Sequence, residues 1–326
     1  MYRLLIRFFL VCLVVGWCGA TFAQPRLFTL LTYNTENTFD TIPAPDGRDA
    51  EFLPEGSHHW GRWRYMDKLR KVAQVMLAAD SLHPVDLAVL QEVESDTVLS
   101  DLLHRTPLAS IPYEYILTRS ADSRGINVAV VYSPFTFHLL TTDTLSLGTE
   151  ARTRQVLYVC GQLSNGDTLH LYALHLPSQL GGAKAQRRRE ELCQKIGAHI
   201  ETSTQGSDNP LVIVCGDFND SPSAKCIRNL CQRAGLTNLM QGRKGGSYKW
   251  QGRWQWLDQT LLSPTLLQPE HSTHLAQGSP SLVQSPFLFE KDTTYGGEKP
   301  RRAFFGPIWH GGYSDHLPVR LQFVVE

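Results

Sequence analysis

The chain has 326 residues, of which 42% are hydrophobic, 10% aromatic and 19% charged. That is enough apolar material for a large core, and it excludes disordered, collagen-like and coiled-coil chains. Lys plus Arg and Asp plus Glu each number 31, so the formal net charge is zero; no basic field calls for nucleic acid, and no acidic tail calls for a basic partner.

Residues 1–23 read as a signal peptide. Arg3 and Arg7 precede an apolar run over 8–17, and Gly19-Ala20-Thr21-Phe22-Ala23 offers a small-residue cleavage site after Ala23. The run is too short for a membrane span, which takes roughly 20 apolar residues. A lipoprotein reading through Cys18 is weaker, because bulky Trp17 stands where such cleavage wants a small residue. Cleavage leaves 29 cations against 31 anions and predicts export to a periplasm or beyond. Cys12 and Cys18 leave with the peptide, and the remaining Cys160, Cys193, Cys215, Cys226 and Cys231 cannot all pair. In an oxidising compartment one or two disulfides fit, with Cys226 and Cys231 close in sequence. Equally, Cys160 and Cys215 fall inside apolar strand-like runs, as buried small hydrophobes do. No Cys/His cluster has zinc spacing.

From there short apolar runs alternate with amphipathic segments. Strands are predicted at 27–33, 87–90, 127–132, 156–163, 168–174, 211–215, 256–262 and 320–324, rich in Val, Leu and Tyr and bounded by Gly, Pro, Asn or Asp. Helices are predicted at 63–77, 96–103, 185–200 and 223–234. In the first, Met66, Leu69, Val72, Ala73 and Met76 return at three- and four-residue steps. Asn165-Gly166 between two strands marks a hairpin, so the sheet is not purely parallel. The stretch 242–313 is rich in Gly, Pro, Ser and aromatics and reads as long irregular loops over one edge of the core. With no low-complexity linker, residues 24–326 form one predicted α/β domain.

Five strand ends terminate in polar residues the strands do not need: Asn34 and Glu36; Gln91 and Glu92; His175; Asp217 and Asn219; Asp315 and His316 before the last strand. Ligands are met at such ends in open α/β sheets. Each alone also reads as a turn former or cap.

The blocks Tyr33-Asn34-Thr35-Glu36-Asn37, Leu90-Gln91-Glu92, Ala173-Leu174-His175, Gly216-Asp217-Phe218-Asn219-Asp220, Leu257-Asp258-Gln259 and Ser314-Asp315-His316-Leu317-Pro318 together resemble the endonuclease/exonuclease/phosphatase (DNase I-like) superfamily. That superfamily includes pancreatic-type DNases, abasic-site endonucleases, sphingomyelinases and inositol-polyphosphate 5-phosphatases. The blocks keep the family's order from about residue 27 to the end. The resemblance implies a four-layer α/β sandwich, two mixed sheets face to face with helices outside, and hydrolysis of a phosphate ester with a divalent metal.

It also implies roles. Asp217 would orient and deprotonate the attacking water, Asn219 would touch the phosphoryl oxygen, and His316, oriented by Asp258, would contact the phosphate. Glu36, Glu92 and Asp315 offer hard carboxylate oxygens suited to Mg²⁺ or Mn²⁺, with Glu92 first, and Asn34 would help fix Asp217, the metal ligands or the phosphate. His175, as in pancreatic-type DNases, would place a second imidazole near the leaving group; the plainer alternative is a strand-end cap. Arg154, or equally Arg152, matches a phosphate-contacting arginine. Arg124 stands where relatives carry an aromatic or acidic group, which leaves the partner of His175 unassigned. Arg187 to Arg189 follow a helix N-terminus that favours anions, or pair with Glu190 and Glu191 on a solvated face, the reading preferred for at least two of them. The run Lys299-Pro300-Arg301-Arg302, among Tyr295, Phe304, Phe305 and Trp309, fits nucleotide bases, lipid headgroups or a covered core edge.

Three functions follow in order. The first is an exported metal-dependent phosphodiesterase acting on DNA or RNA, against which the neutral charge argues mildly. The second is a phosphatase or phospholipase-type hydrolase of a small or lipid phosphate, with membrane association only for a lipid. The third is a binding protein that has lost catalysis, which the completeness of the residue set opposes. No stable protein partner is implied.

Overall fold

A computed structural model describes residues 25–326; the predicted signal peptide lies outside the described residues. The first sheet is built around β1 (Arg26–Thr38), which runs parallel to β2 (Leu87–Val93) because the helix α1 (Arg62–Ala78) returns the chain between them. Beyond β2 lie β4 (Asn127–Tyr132) and the edge strand β3 (Glu114–Leu117); on the other side β1 pairs antiparallel with β19 (Val319–Val325), which carries β13 (Thr273–Leu275) and β14 (Ser281–Leu282). The second sheet runs β5 (Phe137–Leu145), β6 (Val156–Leu163), β7 (Thr168–His175), β8 (Leu211–Asp217), β12 (Asp258–Leu262) and β9 (Thr237–Asn238). Only β7 and β8 are parallel there, joined through α3 (Gly182–Ser203). The Asn165-Gly166 hairpin joins β6 to β7, with Gly166 at φ +93° and Gln162 opposite Thr168.

Alternation along the strands makes three apolar layers. Leu30, Val89, Val130 and Leu321 of the first sheet meet Val159, Leu171, Ile213 and Cys215 of the second. The next residues in line, Leu31, Leu90 and Val131, face outward onto Leu69, Val72 and Met76 of α1 and Leu99 and Leu102 of α2 (Asp96–His104). On the far side Tyr172, Val212 and Val214 pack under Leu192 and Ile196 of α3 and Ile227 and Leu230 of α4 (Lys225–Ala234). The central strands are buried on both faces, which is why they read as continuous apolar runs. This is the expected four-layer sandwich. No described helix is long and apolar enough to cross a membrane.

Three expectations need correction. The stretch 242–313 is not irregular: besides β12, β13 and β14 it holds three small hairpins, β10 (Tyr248–Trp250) with β11 (Arg253–Gln255), β15 (Phe289–Lys291) with β16 (Glu298–Pro300), and β17 (Phe304–Phe305) with β18 (Ile308–Trp309). Leu288, Ala303, Phe304 and Tyr313 bury themselves in the outer layer of the first sheet. Strand β5 went unpredicted because it is an edge whose residues 138–145 are mostly exposed and polar, without alternation. The five described cysteines are free thiols, four of them buried as small hydrophobes are, and Cys226 and Cys231 share one helix, which corrects the pairing suspected from their spacing.

Candidate active site

Strand register assembles the first part of the site. His175 stands opposite Asp217 in the β7–β8 pair, and Asp217 stands opposite Asp258 in the β8–β12 pair, so three side chains form one row across the sheet. Asp258 Oδ2 lies 2.6 Å from His316 Nδ1 and also accepts from Ser247 Oγ at 2.6 Å. The His316 amide donates to Ser314 Oγ at 3.0 Å, and that hydroxyl donates to the Asn34 carbonyl at 2.7 Å, which ties the segment before β19 to the end of β1. Asn34 Nδ2 donates to Asp217 Oδ2 at 3.1 Å, while Asn219 donates its amide to Oδ1 at 2.8 Å and its Nδ2 to Oδ2 at 3.2 Å. His316 Nε2 is 3.9 Å and His175 Nε2 3.4 Å from Asp217 Oδ2; His175 Nε2 is 3.9 Å from Glu92 Oε1. Residues from widely separated positions thus surround one carboxylate.

Burial and charge set the protonation states. Burial pushes the Asp217 carboxyl up to about 7, against the pull of His316. Burial opposes the charged form of His316 too, but the carboxylates of Asp258, Asp217 and Asp315 outweigh it and hold the imidazole well above its ordinary value. His175 goes the other way: burial, reinforced by Arg154, Arg124 and His316, holds it well below. One imidazole is a cation and the other neutral. Glu92 is lowered, because Arg124, the Asn37 amide, Arg154 and His316 together outweigh its burial.

A family profile described as the Endonuclease/Exonuclease/phosphatase family matches residues 29–324. The chain belongs to that family. No curated protein matches it significantly. Among solved structures it is similar to an endonuclease/exonuclease/phosphatase family protein of Bacteroides thetaiotaomicron, with TM-score 0.60 and 17% identity over 93% of this chain and 99% of the other. A mannosyl-6-phosphatase of the same organism gives 0.57 and 17%, over 91% and 99%. Truncated TDP2 of Caenorhabditis elegans gives 0.55 and 14%, over 92% and 98%. Identities this low speak to the fold alone; membership rests on the profile, and members of the family are phosphoric ester hydrolases.

Within the family frame, four candidate residues make contacts that the sequence reading did not anticipate. Glu36 was a predicted metal ligand, but Glu36 and Asn37 both adopt φ +52° and shift the register between β1 and β2. Its buried carboxylate instead accepts from Ala303 N at 2.6 Å, Arg302 Nη2 at 3.1 Å and Phe304 N at 3.4 Å, so it anchors the chain entering β17. Burial, with Asp315 nearby, pushes it up to about 7. Arg154, a predicted phosphate contact, is 5% exposed and donates to the His175 and Leu176 carbonyls at 3.0 and 2.7 Å and to Asp122 at 3.1 Å. It clamps the end of β7. His175, held neutral, suits hydrogen bonding better than delivery of a proton; its Nδ1 is buried without a partner among the described residues. Asp315 pairs with Arg302 at 3.2 Å.

The cations that reach solvent here are Arg124, 3.4 Å from Glu92, and Arg302. Arg187 is exposed and Arg188 half-buried, but Arg189 is buried against Asp220 and the Pro177 carbonyl, both at 3.0 Å. Lys68 was missed entirely. It is fully buried on α1, donates to the Tyr313 carbonyl at 2.5 Å and lies among Glu36, Asp315 and Glu92. Its signal was a lysine three residues from Tyr65 and four from Val72, inside the buried stripe of the helix. Ser247 gave no signal.

Among the described residues no three His, Cys, Asp or Glu side chains are arranged to cage a metal ion. The donor at hand is the Glu92 carboxylate, hard and single, since the Asn34 amide oxygen accepts from the Glu36 amide at 3.0 Å. Such a donor fits Mg²⁺ or Mn²⁺, which keep most of their waters and take one or two protein carboxylates.

Proposed function

We propose that the chain is an exported, divalent-metal-dependent phosphoesterase that hydrolyses phosphodiester bonds of nucleic acid, with residues 1–23 a cleaved signal peptide and 24–326 one catalytic domain. The carrying observation is the continuous hydrogen-bonded path from Asp258 through His316 and Ser314 to Asn34 and Asp217, with Glu92 beside it.

In this reading Asp217 Oδ2, buried and aimed between the two imidazoles, accepts the proton of the attacking water and holds it in line with phosphorus. The imidazolium of His316, fixed through Nδ1 by Asp258, presents Nε2–H to a phosphoryl oxygen and offsets the charge that develops there. Asn219 and Asn34 keep the Asp217 carboxylate in one orientation. Neutral His175 closes the other side, and Arg124 meets the anionic substrate at the opening. Glu92, held by the Asn37 amide at 2.8 Å, would hold a metal ion, whose charge would supply Lewis-acid stabilisation of the leaving oxygen.

One observation favours a second reading, a phosphatase of a small or lipid phosphate ester. Arg124 and Arg302 already face carboxylates at 3.4 and 3.1 Å, and the chain is neutral, whereas duplex binding rests on many free phosphate contacts. Turnover of plasmid DNA, RNA, a nitrophenyl phosphodiester, sugar phosphates, phosphoinositides and sphingomyelin with Mg²⁺, Mn²⁺ or EDTA decides between them. Metal-dependent cleavage of nucleic acid supports the first; release of phosphate from monoesters alone supports the second; no turnover of any substrate rejects both in favour of a binding protein.

A further inference from the structure

The helix pair outside the second sheet holds a second reactive group, away from the catalytic tips. Helices α3 and α4 approach closely where Gly197 meets Arg233: a Cβ on Gly197 would stand 2.8 Å from Arg233 Cδ. Arg233 grips Glu201 at 2.6 and 2.8 Å and the Gln194 carbonyl at 3.3 Å, locking the helices together. One turn before Gly197, Cys193 of α3 is 2% exposed, and Cys226 of α4 is 5% exposed, within the same apolar layer. Both border one cleft of about 160 Å³ between the helices, with Lys225 and Arg233 beside it. Across it each thiol perturbs the other, Cys193 pushed up and Cys226 down, with Arg189 assisting the second.

We propose that Cys193 and Cys226 form a disulfide site joining α3 to α4. The pairing is selective on geometry. Cys226 and Cys231 lie five residues apart on one helix, about 140° apart around its axis, and their side chains diverge too far to bridge. Cys215 faces the layer between the sheets; Cys160 and Cys231 border the same apolar layer as Cys193, but neither lines the cleft that Cys193 and Cys226 share. The oxidant is a small disulfide or a dithiol–disulfide oxidase. The Cys226 thiolate attacks one oxidant sulfur, breaking its S–S bond and releasing one thiolate. Cys193 gives up its proton, and its sulfur displaces the second oxidant thiol to close the Cys193–Cys226 bond. Two thiols are oxidised, one oxidant disulfide is reduced to two thiols, and two protons balance the exchange. The bond would pin the helix whose Arg189, one turn before Cys193, supports Pro177 and Asp220 next to the ends of β7 and β8.

The test is to refold the reduced chain in parallel in dithiothreitol and in a glutathione redox buffer, alkylate, digest without reductant and map the cysteine peptides by mass. A peptide joining Cys193 to Cys226 is expected in the oxidised sample, with Tm raised by roughly 5–10 °C over the reduced one. Cys193→Ser loses the crosslink and the Tm gain, and Cys231→Ser keeps both. Alkylation of both Cys193 and Cys226 after oxidation, a crosslink of either to another cysteine, or an oxidising refold that fails where the reducing one succeeds overturns the assignment.

Discussion

The ends of β7, β8 and β12 and the ends of β1 and β2 line the same site by different means. In the second sheet the strands stay in register to their last residues, so His175, Asp217 and Asp258 stand side by side. In the first sheet both strands break register as they arrive: Glu36 and Asn37 adopt φ +52° and Glu92 +63°, with pairing shifted after Asn34 and after Gln91. A straight end projects residues by simple alternation, whereas a bulged end re-aims them. The bulge brings Glu92 toward His175 and turns Glu36 away onto Arg302 and Ala303. Two glutamates placed alike in the sequence therefore have opposite fates, one facing the reacting centre and one holding up its wall.

Substitutions at the straight end of β8, and at the imidazole that Asp258 of the same row holds, should cost most. Asp217→Asn and His316→Ala are each expected to lower kcat by about 10² or more, the scale of a lost acid or base, and wild-type rates in either variant would remove these groups from the chemistry. The pH profile sharpens the same point. Asp217 must be ionised to accept a proton, and burial places its carboxyl at about 7, so in the wild type log kcat/KM should rise with a slope near one as pH climbs toward 7. His316, raised, stays protonated across that range. A profile flat below neutrality contradicts the assignment of the base.

The bulged ends separate in a different measurement. Glu92→Gln should raise the Mg²⁺ or Mn²⁺ concentration for half-maximal rate about tenfold or more, with activity partly restored at high metal. Glu36→Ala should leave that concentration unchanged and instead cost about 2 kcal/mol, because the Ala303 and Phe304 amides lose their acceptor. Calorimetry would register it as a fall in Tm of about 4 °C. If Glu36→Ala shifts the metal requirement and leaves Tm in place, the distinction between the two glutamates is wrong.

Much of this arrangement was legible in the chain. The apolar runs located the central strands, and Asn165-Gly166 fixed a hairpin, because strands buried on both faces and primed turns leave local signatures. Asp217, His316 and Asn34 were legible as polar residues at or just outside predicted strand ends, and Asp258 through the family resemblance of Leu257-Asp258-Gln259. What escaped depends on long-range geometry. Nothing local says that Glu36 turns away, that Arg154 spends its guanidinium on the His175 and Leu176 carbonyls, or that Ser247 supports Asp258. The stretch 242–313 hid its hairpins because strands of two or three residues show no periodicity, and its place in the core comes from Leu288, Ala303, Phe304 and Tyr313 burying themselves in the outer layer of the first sheet.

The most direct measurement is hydrolysis of bis(4-nitrophenyl) phosphate by the wild type and Asp217→Asn, each with Mn²⁺ and with EDTA. Turnover by the wild type that needs Mn²⁺, disappears in EDTA and falls at least about a hundredfold in Asp217→Asn is the predicted result. Equal rates with and without the chelator, or an Asp217→Asn variant as fast as the wild type, would contradict it.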